Sequence, residues 1–316
     1  MNKNMNKNMI PRLPNFLLIG ANRCGTTSLY HYLKEHPEVH MSSIKEPSFF
    51  LSLSFKVPEQ GIGDDRRKFV TDFSDYCRLF ETAGDCKALG EASTENLYHY
   101  DKVIPDIKRL LGNPKILISL RNPVERAFSA YTFLISENRE FLTFEEGLSQ
   151  EEKRMRDGWR QIWFYKDAGF YSARVKAYLE NFDEVKICLF DDLIRNPLSF
   201  VQEVYEFLGV DPSYKPDVKA RYKTSGIPRS KKINRLFEEP TRLRSAARAI
   251  GKFVLREDGW TKLRDALKAK SYARAEMKPE TRTYLERVYR EDILKLEDVI
   301  QRDLSAWLKP RNQGGE

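Results

Sequence analysis

The sequence predicts an α/β fold, in which a parallel β-sheet carrying a phosphate-binding loop is flanked by helices and followed by a helical C-terminal region. Three observations support this prediction. Apolar strands alternate with amphipathic helices over the first two-thirds of the 316 residues, a pattern typical of parallel sheets covered on both faces. A glycine-rich turn follows the first strand. From residue 229 onward the chain has helical periodicity and no convincing strand.

The elements follow in order along the chain. After a polar tail over residues 1–13, a buried strand over 16–19 leads into a helix over 26–33, which Pro37 stops. The further predicted strands are 39–41, 87–90, 115–120 and 185–190. The further predicted helices are 125–136, 172–182, 199–208 and 279–300, with a short apolar end at 304–308. We therefore expect one domain over 14–310, whose C-terminal helical part begins at about 229.

Composition indicates an ordinary globular protein, because 41% of the residues are hydrophobic and 32% are charged. The formal charge of +8 comes from basic residues interleaved with acids, which disfavours nucleic acid as a partner and suits a small polyanion. The four cysteines have no metal-ligand or disulfide-framework spacing. Neither a signal peptide nor a membrane-length apolar run is apparent, so we expect a cytoplasmic protein without a membrane span. Oligomeric state stays open.

The glycine-rich turn has the spacing of a P-loop. Residues 20–27 are Gly-Ala-Asn-Arg-Cys-Gly-Thr-Thr, but Thr26 stands where nucleotide triphosphatases have lysine, and Arg23 supplies a cation inside the loop. A strand, a glycine turn and a helix N-terminus present backbone N–H groups and a positive dipole end to an anion. The turn therefore predicts a phosphate site without the lysine that serves a magnesium triphosphate.

A second candidate phosphate site follows the strand over 115–120. Arg121 stands at the strand's carboxyl end, and Ser129 lies two helical turns further on. Ligands of parallel sheets bind beyond this end of the strands. A guanidinium fork and a hydroxyl suit a phosphate. Considered alone, the segment is explained equally well by a helix start with a surface arginine.

Together these two segments resemble the paired phosphate-binding motifs of sulfotransferases that use 3′-phosphoadenosine 5′-phosphosulfate (PAPS). Residues 19–30 look like the family's 5′-phosphosulfate loop, and residues 121–131 look like its 3′-phosphate motif. Other stretches similar to bacterial and glycosaminoglycan-type members occur in the family's order, at 45–50, 90–93, 169–171, 190–193, 196–197, 225–230 and 303–308. The resemblance covers the chain from about residue 14 to about residue 308.

The resemblance implies where the cofactor binds. The 5′-phosphate would lie on these loop residues: Arg23, Cys24, Gly25, Thr26, Thr27 and Ser28. Arg121 and Ser129 would hold the 3′-phosphate, and Gly226 and Arg229 would close over it from a later loop. Two positions depart from the family's pattern. Family members usually have lysine in place of Arg23, and glycosaminoglycan-type enzymes often have lysine in place of Ala92.

The resemblance also implies the catalytic residues. Sulfuryl transfer requires the acceptor to lose a proton as it attacks in line, and it requires cations near the sulfuryl oxygens and the departing phosphate. Glu46 is the candidate general base, and Arg23 and Lys45 would supply the positive charge, so no metal is expected. An exposed, purely structural Lys–Glu pair is the alternative interpretation, with His99 or His40 as the base instead.

The predicted function is transfer of the sulfuryl group from PAPS to a hydroxyl or amine of a small-molecule or carbohydrate acceptor. The alternatives are a P-loop nucleotide kinase-like enzyme and a nucleotide-binding protein without catalysis. Thr26 disfavours the kinase, as does the arginine that follows the strand over 115–120 in place of a magnesium-binding aspartate. The following aromatic residues are candidates for an acceptor pocket, although aromatic stripes are more often core: Phe49, Phe50, Tyr98, Trp163, Phe164 and Tyr165.

Overall fold

The computed structural model describes residues 12–54, 60–66, 68–218 and 276–309, and the backbone of 227–228 and 272–273. A five-stranded sheet lies at the centre. Its strands are β1 Phe16–Gly20, β2 Val39–Met41, β3 Ala88–Ala92, β4 Lys115–Leu120 and β5 Val185–Leu189. All neighbours pair in parallel, in the order β2-β3-β1-β4-β5. The predicted parallel sheet is confirmed.

Helices cover both faces of this sheet. They are α1 Thr26–Glu35, α2 Phe49–Ser54, α3 Phe73–Arg78, α4 Tyr100–Leu111, α5 Pro123–Ser136, α6 Phe144–Ser149, α7 Glu151–Arg156, α8 Ser172–Asn181, α9 Phe190–Arg195, α10 Pro197–Leu208, α11 Pro279–Ile300 and α12 Ser305–Leu308. Helices α11 and α12 confirm a helical C-terminal region, while residues 229–271 lie outside the described part.

One element differs from the sequence prediction. Strand β7, Tyr272–Ala273, pairs antiparallel with strand β6, Ile227–Pro228, so the expectation of no strand after residue 229 is wrong at this point. Two residues are too few to show the alternating pattern by which a strand is recognised in a sequence.

Two hydrophobic clusters cover the two faces of the sheet. Because side chains alternate along a strand, Leu17 and Ile19 enter one cluster while Phe16 and Leu18 enter the other. The first cluster includes side chains of α2, α3, α4, α5, α8 and α11, and the second includes side chains of α1, α9 and α10. Burial on both faces explains why the strands are mostly apolar.

The strand order places the site. The chain leaves β1 for the edge strand β2, returns to β3 on one side of β1, and then crosses to β4 and β5 on the other side. Such a reversal opens a crevice at the carboxyl ends of the strands, where ligands of α/β sheets bind. The loops that leave β1, β3 and β4 therefore meet at one edge.

The C-terminal helices are tied to this edge. Asp292 on α11 accepts hydrogen bonds from the backbone N–H of Tyr171 at 2.7 Å and of Ser172 at 3.3 Å, which satisfies donors at the start of α8. The indole N–H of Trp307 on α12 donates to Asp191 at 2.7 Å, and Asn122 donates to the Trp307 carbonyl at 3.3 Å. These contacts hold the start of α8 and the segments that follow β4 and β5 against the C-terminal helices.

No helix within the ranges described here combines the length and the apolar character that a membrane crossing requires.

Candidate active site

The loop between β1 and α1 turns at Gly25, which has a φ of +82°. Glycine adopts this left-handed conformation without strain, and a β-carbon at Gly25 would lie 2.6 Å from Leu193 and 2.8 Å from Phe190. Helix α1 starts at the next residue, with no acidic residue in its first turn and no described side chain capping it. Its first N–H groups, which have no partner within the helix, therefore point toward the crevice with the positive end of the helix dipole.

The side chains of this loop divide between the core and the crevice. Cys24 is wholly buried, with its Sγ 3.9 Å from the Tyr171 hydroxyl oxygen. Burial raises the pKa of Cys24 to about 11, so the thiol is protonated at neutral pH and packs the loop against the core. Thr26 is buried, and Thr27 and Ser28 are half-buried. The two half-buried hydroxyls are those within reach of a ligand.

Arg23 joins the two predicted phosphate motifs. Its Nε donates to Ser129 Oγ on α5 at 3.2 Å, and its guanidinium carbon lies 4.6 Å from the centre of the Phe133 ring. Burial, with the positive charge of Arg121 as the next cause, lowers the pKa of Arg23 to about 10. The guanidinium is therefore still a cation at neutral pH, held between a hydroxyl and an aromatic face.

Arg121 lies directly after β4, on the other side of the loop. Its guanidinium carbon is 4.7 Å from the centre of the Phe190 ring, and its Nη1 is 3.5 Å from the Arg23 carbonyl oxygen. Within the described ranges no carboxylate forms an ion pair with Arg121. Asn122, the next residue, caps α5 by accepting from the Val124 N–H at 2.9 Å. The two arginines thus converge on the N-terminus of α1.

Glu46 is held by a second cluster at the same edge. One carboxylate oxygen accepts from Lys45 Nζ at 2.7 Å. Thr94 donates to the carboxylate from its hydroxyl, at 3.1 and 3.0 Å, and from its backbone N–H, at 3.2 Å. The Glu46 backbone has a φ of +62°, a conformation that costs a non-glycine residue about 1–3 kcal/mol and clusters at functional sites. The Glu46 side chain is 18% exposed, so it is accessible from the crevice.

The Glu46 cluster and the phosphate loop lie side by side. The backbone N–H of Ser93 donates to the carbonyl oxygen of Leu18 at 3.1 Å, and the backbone N–H of Leu97 donates to the carbonyl oxygen of Ile19 at 2.9 Å. The loop after β3, which contains Thr94, therefore runs along the end of β1. The structure joins Arg23 to Ser129 and Arg121, and Lys45 to Glu46, and it places both groups at the carboxyl edge of the sheet. Their roles at a ligand stay predictions.

A buried carboxyl group on β3 interacts electrostatically with Glu46. Glu91 on β3 is 0% exposed, and the neighbouring Ser93 side chain is the one polar contact of its carboxyl group given within the described chain. Burial raises the pKa of Glu91 to about 8, and the negative charge of Glu46 acts in the same direction. The Glu91 carboxyl is therefore largely protonated at neutral pH.

Other predicted site residues have different positions. Gly226 and Arg229 lie outside the described residues. His40 Nε2 lies 3.0 Å from the Leu79 carbonyl oxygen. His99 precedes α4, and burial lowers its pKa to about 4. Neither His40 nor His99 is among the hydrogen-bond partners of Glu46 given above. That one of them acts as an alternative base stays a prediction.

The aromatic candidates for an acceptor pocket are core residues, apart from Tyr98. The buried ones are Phe49, Phe50, Trp163, Phe164 and Tyr165. Tyr98 is half-buried and donates its hydroxyl to Asp167 at 2.6 Å.

Three site residues were missed by the sequence reasoning. Thr94 holds Glu46, and Phe133 and Phe190 stack on the two arginines. Thr94 follows the carboxyl end of β3, and that position is a signal that would have marked it. Phe190 directly follows β5 and shares this signal, whereas Phe133 has none, because an apolar residue of a helix is usually core.

Comparisons with known sequences and structures identify the family of this chain. A family model described as the sulfotransferase family matches residues 14–215. The chain belongs to the sulfotransferase family. The crystal structure of a sulfotransferase from Alicyclobacillus acidocaldarius superimposes with a TM-score of 0.75 and 32% sequence identity, covering 94% of this chain and 100% of that one. The family's fold is therefore the fold of this protein.

Curated relatives include two larger sulfotransferases. Carbohydrate sulfotransferase 15 from Homo sapiens is 26% identical over 251 residues, which cover 63% of this chain and 44% of the relative. Bifunctional heparan sulfate N-deacetylase/N-sulfotransferase 2 from Bos taurus is 26% identical over 210 residues, which cover 64% of this chain and 22% of the relative. The chain thus spans less than half the length of these relatives.

Proposed function

We propose that the protein transfers the sulfuryl group of PAPS to a hydroxyl or amine of a small-molecule or carbohydrate acceptor. The observation that carries this proposal is the hydrogen bond from Arg23 to Ser129. It joins the phosphate loop to the second motif, which supports two proposed phosphate positions at one edge of the sheet. Membership of the sulfotransferase family supports the class of reaction.

The residues present fit a nucleotide with two separate phosphate groups. The first turn of α1 offers N–H groups and the hydroxyls of Thr27 and Ser28 to a 5′-phosphate. Arg121 and Ser129 offer a guanidinium and a hydroxyl to a 3′-phosphate, and Arg121 has no carboxylate partner among the described residues to compete with it. Bound PAPS would supply an activated sulfuryl group.

The chain's own residues supply the proton acceptor and the positive charge. Glu46 takes the proton of the acceptor, and Lys45 and Thr94 hold its carboxylate in one orientation. Arg23, cationic at neutral pH and fixed by Ser129 and Phe133, stabilises negative charge that develops near the phosphate loop. A positioned general base and a preorganised cation each lower the barrier of group transfer.

A carbohydrate acceptor is favoured by the relatives. Two of the curated proteins that match this chain are named for carbohydrate and heparan sulfate sulfotransfer. Ala92 argues against a polyanionic sugar as the acceptor, since glycosaminoglycan-type enzymes often have a lysine at this position. We therefore keep small-molecule acceptors within the proposal.

Thermal unfolding with three nucleotides tests the cofactor. The product 3′-phosphoadenosine 5′-phosphate should stabilise the folded state by about 2.7 kcal/mol at a hundred times its dissociation constant. Adenosine 5′-phosphate and ATP with magnesium, at the same concentration, should stabilise it much less. Equal stabilisation by all three nucleotides would contradict two dedicated phosphate positions.

Incubation with labelled PAPS tests the reaction. A metabolite or oligosaccharide extract should contain species that gain the mass of one sulfate group only when the enzyme is present. If no species gains this mass although the bisphosphate binds, the protein is a nucleotide-binding protein without transfer activity.

A further inference from the structure

Arg126, on the same helix as Ser129, has a fully buried guanidinium. Its Nη2 donates to the carbonyl oxygens of Tyr165 and Phe164. Apart from the Tyr289 hydroxyl, which also contacts the Arg126 side chain, its Nε and Nη1 have no hydrogen-bond partner in the described structure, and no carboxylate of the described residues forms an ion pair with it. Buried arginines are almost always paired with an opposite charge, so we expect an anion to neutralise Arg126.

A small cavity lies beside the Arg126 guanidinium. A cavity of about 10 Å³ lies between the phosphate loop, α5 and the segment before α8. Arg126, Gln161 and Asn22 line it, together with Thr94, Tyr98 and Arg174. Three of these six residues have side-chain atoms without a hydrogen-bond partner among the described atoms: Nε and Nη1 of Arg126, Nε2 of Gln161 and Oδ1 of Asn22. We call this space the Arg126 cavity.

The charges around the Arg126 cavity do not cancel. Two arginines line it, but no aspartate or glutamate does. Arg174 is neutralised by Asp167, whose carboxylate lies 3.0 Å from it and also accepts from the Tyr98 hydroxyl. The charge of Arg126 is left uncompensated. An unpaired buried charge is expensive, whereas a buried charge with a counter-ion is tolerated.

We propose that the Arg126 cavity binds a single chloride ion. Arg126 Nε and Nη1 and Gln161 Nε2 are the donors that hold the ion. The Asn22 amide presents its Nδ2 to the ion when it turns by 180°, a rotation that exchanges two ends of equal shape. The volume limits the ligand to one monatomic ion or one water molecule. Chloride is somewhat larger than water, so the Gln161 and Asn22 side chains must move slightly outward when it binds. Carboxylate, sulfate and phosphate groups are too large.

A water molecule is the competing occupant, and charge distinguishes the two. Water accepts hydrogen bonds from Arg126 and donates one to Asn22, so it satisfies the polar atoms equally well. It leaves the positive charge in place, whereas chloride neutralises it. The ion also bridges α5 and the phosphate loop, so its binding stabilises the folded state whether or not nucleotide is present.

Thermal unfolding at constant ionic strength tests the site. Replacing gluconate, which is too large for the cavity, by chloride should raise the melting temperature by a few degrees, in a saturable way. Bromide should act similarly.

In the variant Gln161→Met, which removes one donor, the dissociation constant for chloride should rise about threefold or more. In Arg126→Met the chloride effect should disappear. Arg109→Met, which changes an exposed arginine bound to Asp106, should respond as the parent does.

Crystals grown in bromide provide the direct measurement. An anomalous peak within hydrogen-bond distance of Arg126 and Gln161 is the expected result, and it does not depend on how well the Arg126 variant folds. A water molecule there with no anomalous signal would overturn the proposal. A chloride effect that is the same in the parent and in Gln161→Met would overturn it as well.

Discussion

Arg23 in the loop after β1 donates its Nε–H to Ser129 Oγ on α5, at 3.2 Å and across 106 residues of sequence. The same guanidinium lies over Phe133, one helical turn further along α5. A single side chain therefore connects the proposed 5′-phosphate and 3′-phosphate positions. Because Arg23 is held from two sides, it loses little conformational entropy when a ligand binds.

Ser129→Ala removes the hydroxyl from the proposed 3′-phosphate position. Affinity for 3′-phosphoadenosine 5′-phosphate should fall by about 1.5–3 kcal/mol, the scale of a hydrogen bond to a charged group. Affinity for adenosine 5′-phosphate should change much less, and titration calorimetry measures both. Ser136→Ala is the matched control, since Ser136 ends the same helix and bonds only to the Phe133 carbonyl among the contacts described. Equal losses for both nucleotides would contradict the assignment.

Arg121→Ala tests the charge at the same position. The variant should bind the bisphosphate more weakly by about 1.5–3 kcal/mol, because a charge-assisted bond to a phosphate is lost while the fold stays intact. Circular dichroism checks the fold, and calorimetry measures the affinity. Arg109→Ala, an exposed arginine paired with Asp106 on α4, should leave the affinity unchanged. Unchanged binding by Arg121→Ala would make Arg121 a surface residue at a helix start.

Much of this site is predictable from the sequence because it lies at the ends of strands. The periodicity of apolar residues located β1, β4 and β5, and in a parallel sheet the residues that follow such strands meet at one edge. Arg23 and Arg121 were found in this way. Glu46 follows the three-residue strand β2 and was found only by resemblance, since three residues carry little periodicity.

The remaining features depend on tertiary contacts that no local pattern encodes. Thr94 reaches Glu46 only because the loop after β3 runs along β1. Phe133 and Phe190 look like ordinary core residues until an arginine is placed on each. Glu91 is polar in the sequence, and its complete burial follows from the packing above β3. Sequence spacing determines the neighbours along one element, not those across the sheet.

Gly25→Ala should destabilise the protein and weaken nucleotide binding together. The residue has a left-handed φ, and the new β-carbon would strike Leu193 and Phe190. The expected loss of unfolding free energy is about 1–3 kcal/mol, measured by denaturant unfolding. Gly84→Ala is the control, because Gly84 also has a positive φ of 52° but its β-carbon would meet no atom within 4 Å. Equal losses in the two variants would show that backbone conformation, and not packing, dominates.

Glu91→Gln should change how stability depends on pH. Burial raises the pKa of Glu91 from 4.5 to about 8, so the folded state holds this proton more tightly than the unfolded state does. Raising the pH from about 4.5 to about 8 therefore removes stability from the parent, and the loss is complete above that range. The variant cannot ionise, so its melting temperature relative to the parent should rise across this window. Glu180→Gln, at the exposed pair with Lys176, should follow the parent. A constant difference between the parent and Glu91→Gln would contradict the buried ionisation.

Glu46→Gln separates chemistry from binding. Glutamine has nearly the size and shape of glutamate, and its amide oxygen can keep the hydrogen bond from Lys45 or that from the Thr94 backbone N–H, which bind different oxygens of Glu46, but it cannot take a proton. Folding and affinity for the bisphosphate should therefore stay close to those of the parent. Transfer to an acceptor should fall about 10²–10⁴-fold, the range for loss of a general base. Slow hydrolysis of PAPS by water can serve as the assay until an acceptor is found.

Glu184→Gln, which changes an exposed carboxylate paired with Lys115, is the control and should retain full turnover. If Glu46→Gln also retains it, Glu46 is a structural partner of Lys45, worth less than about 1 kcal/mol, and His99 or His40 becomes the candidate base.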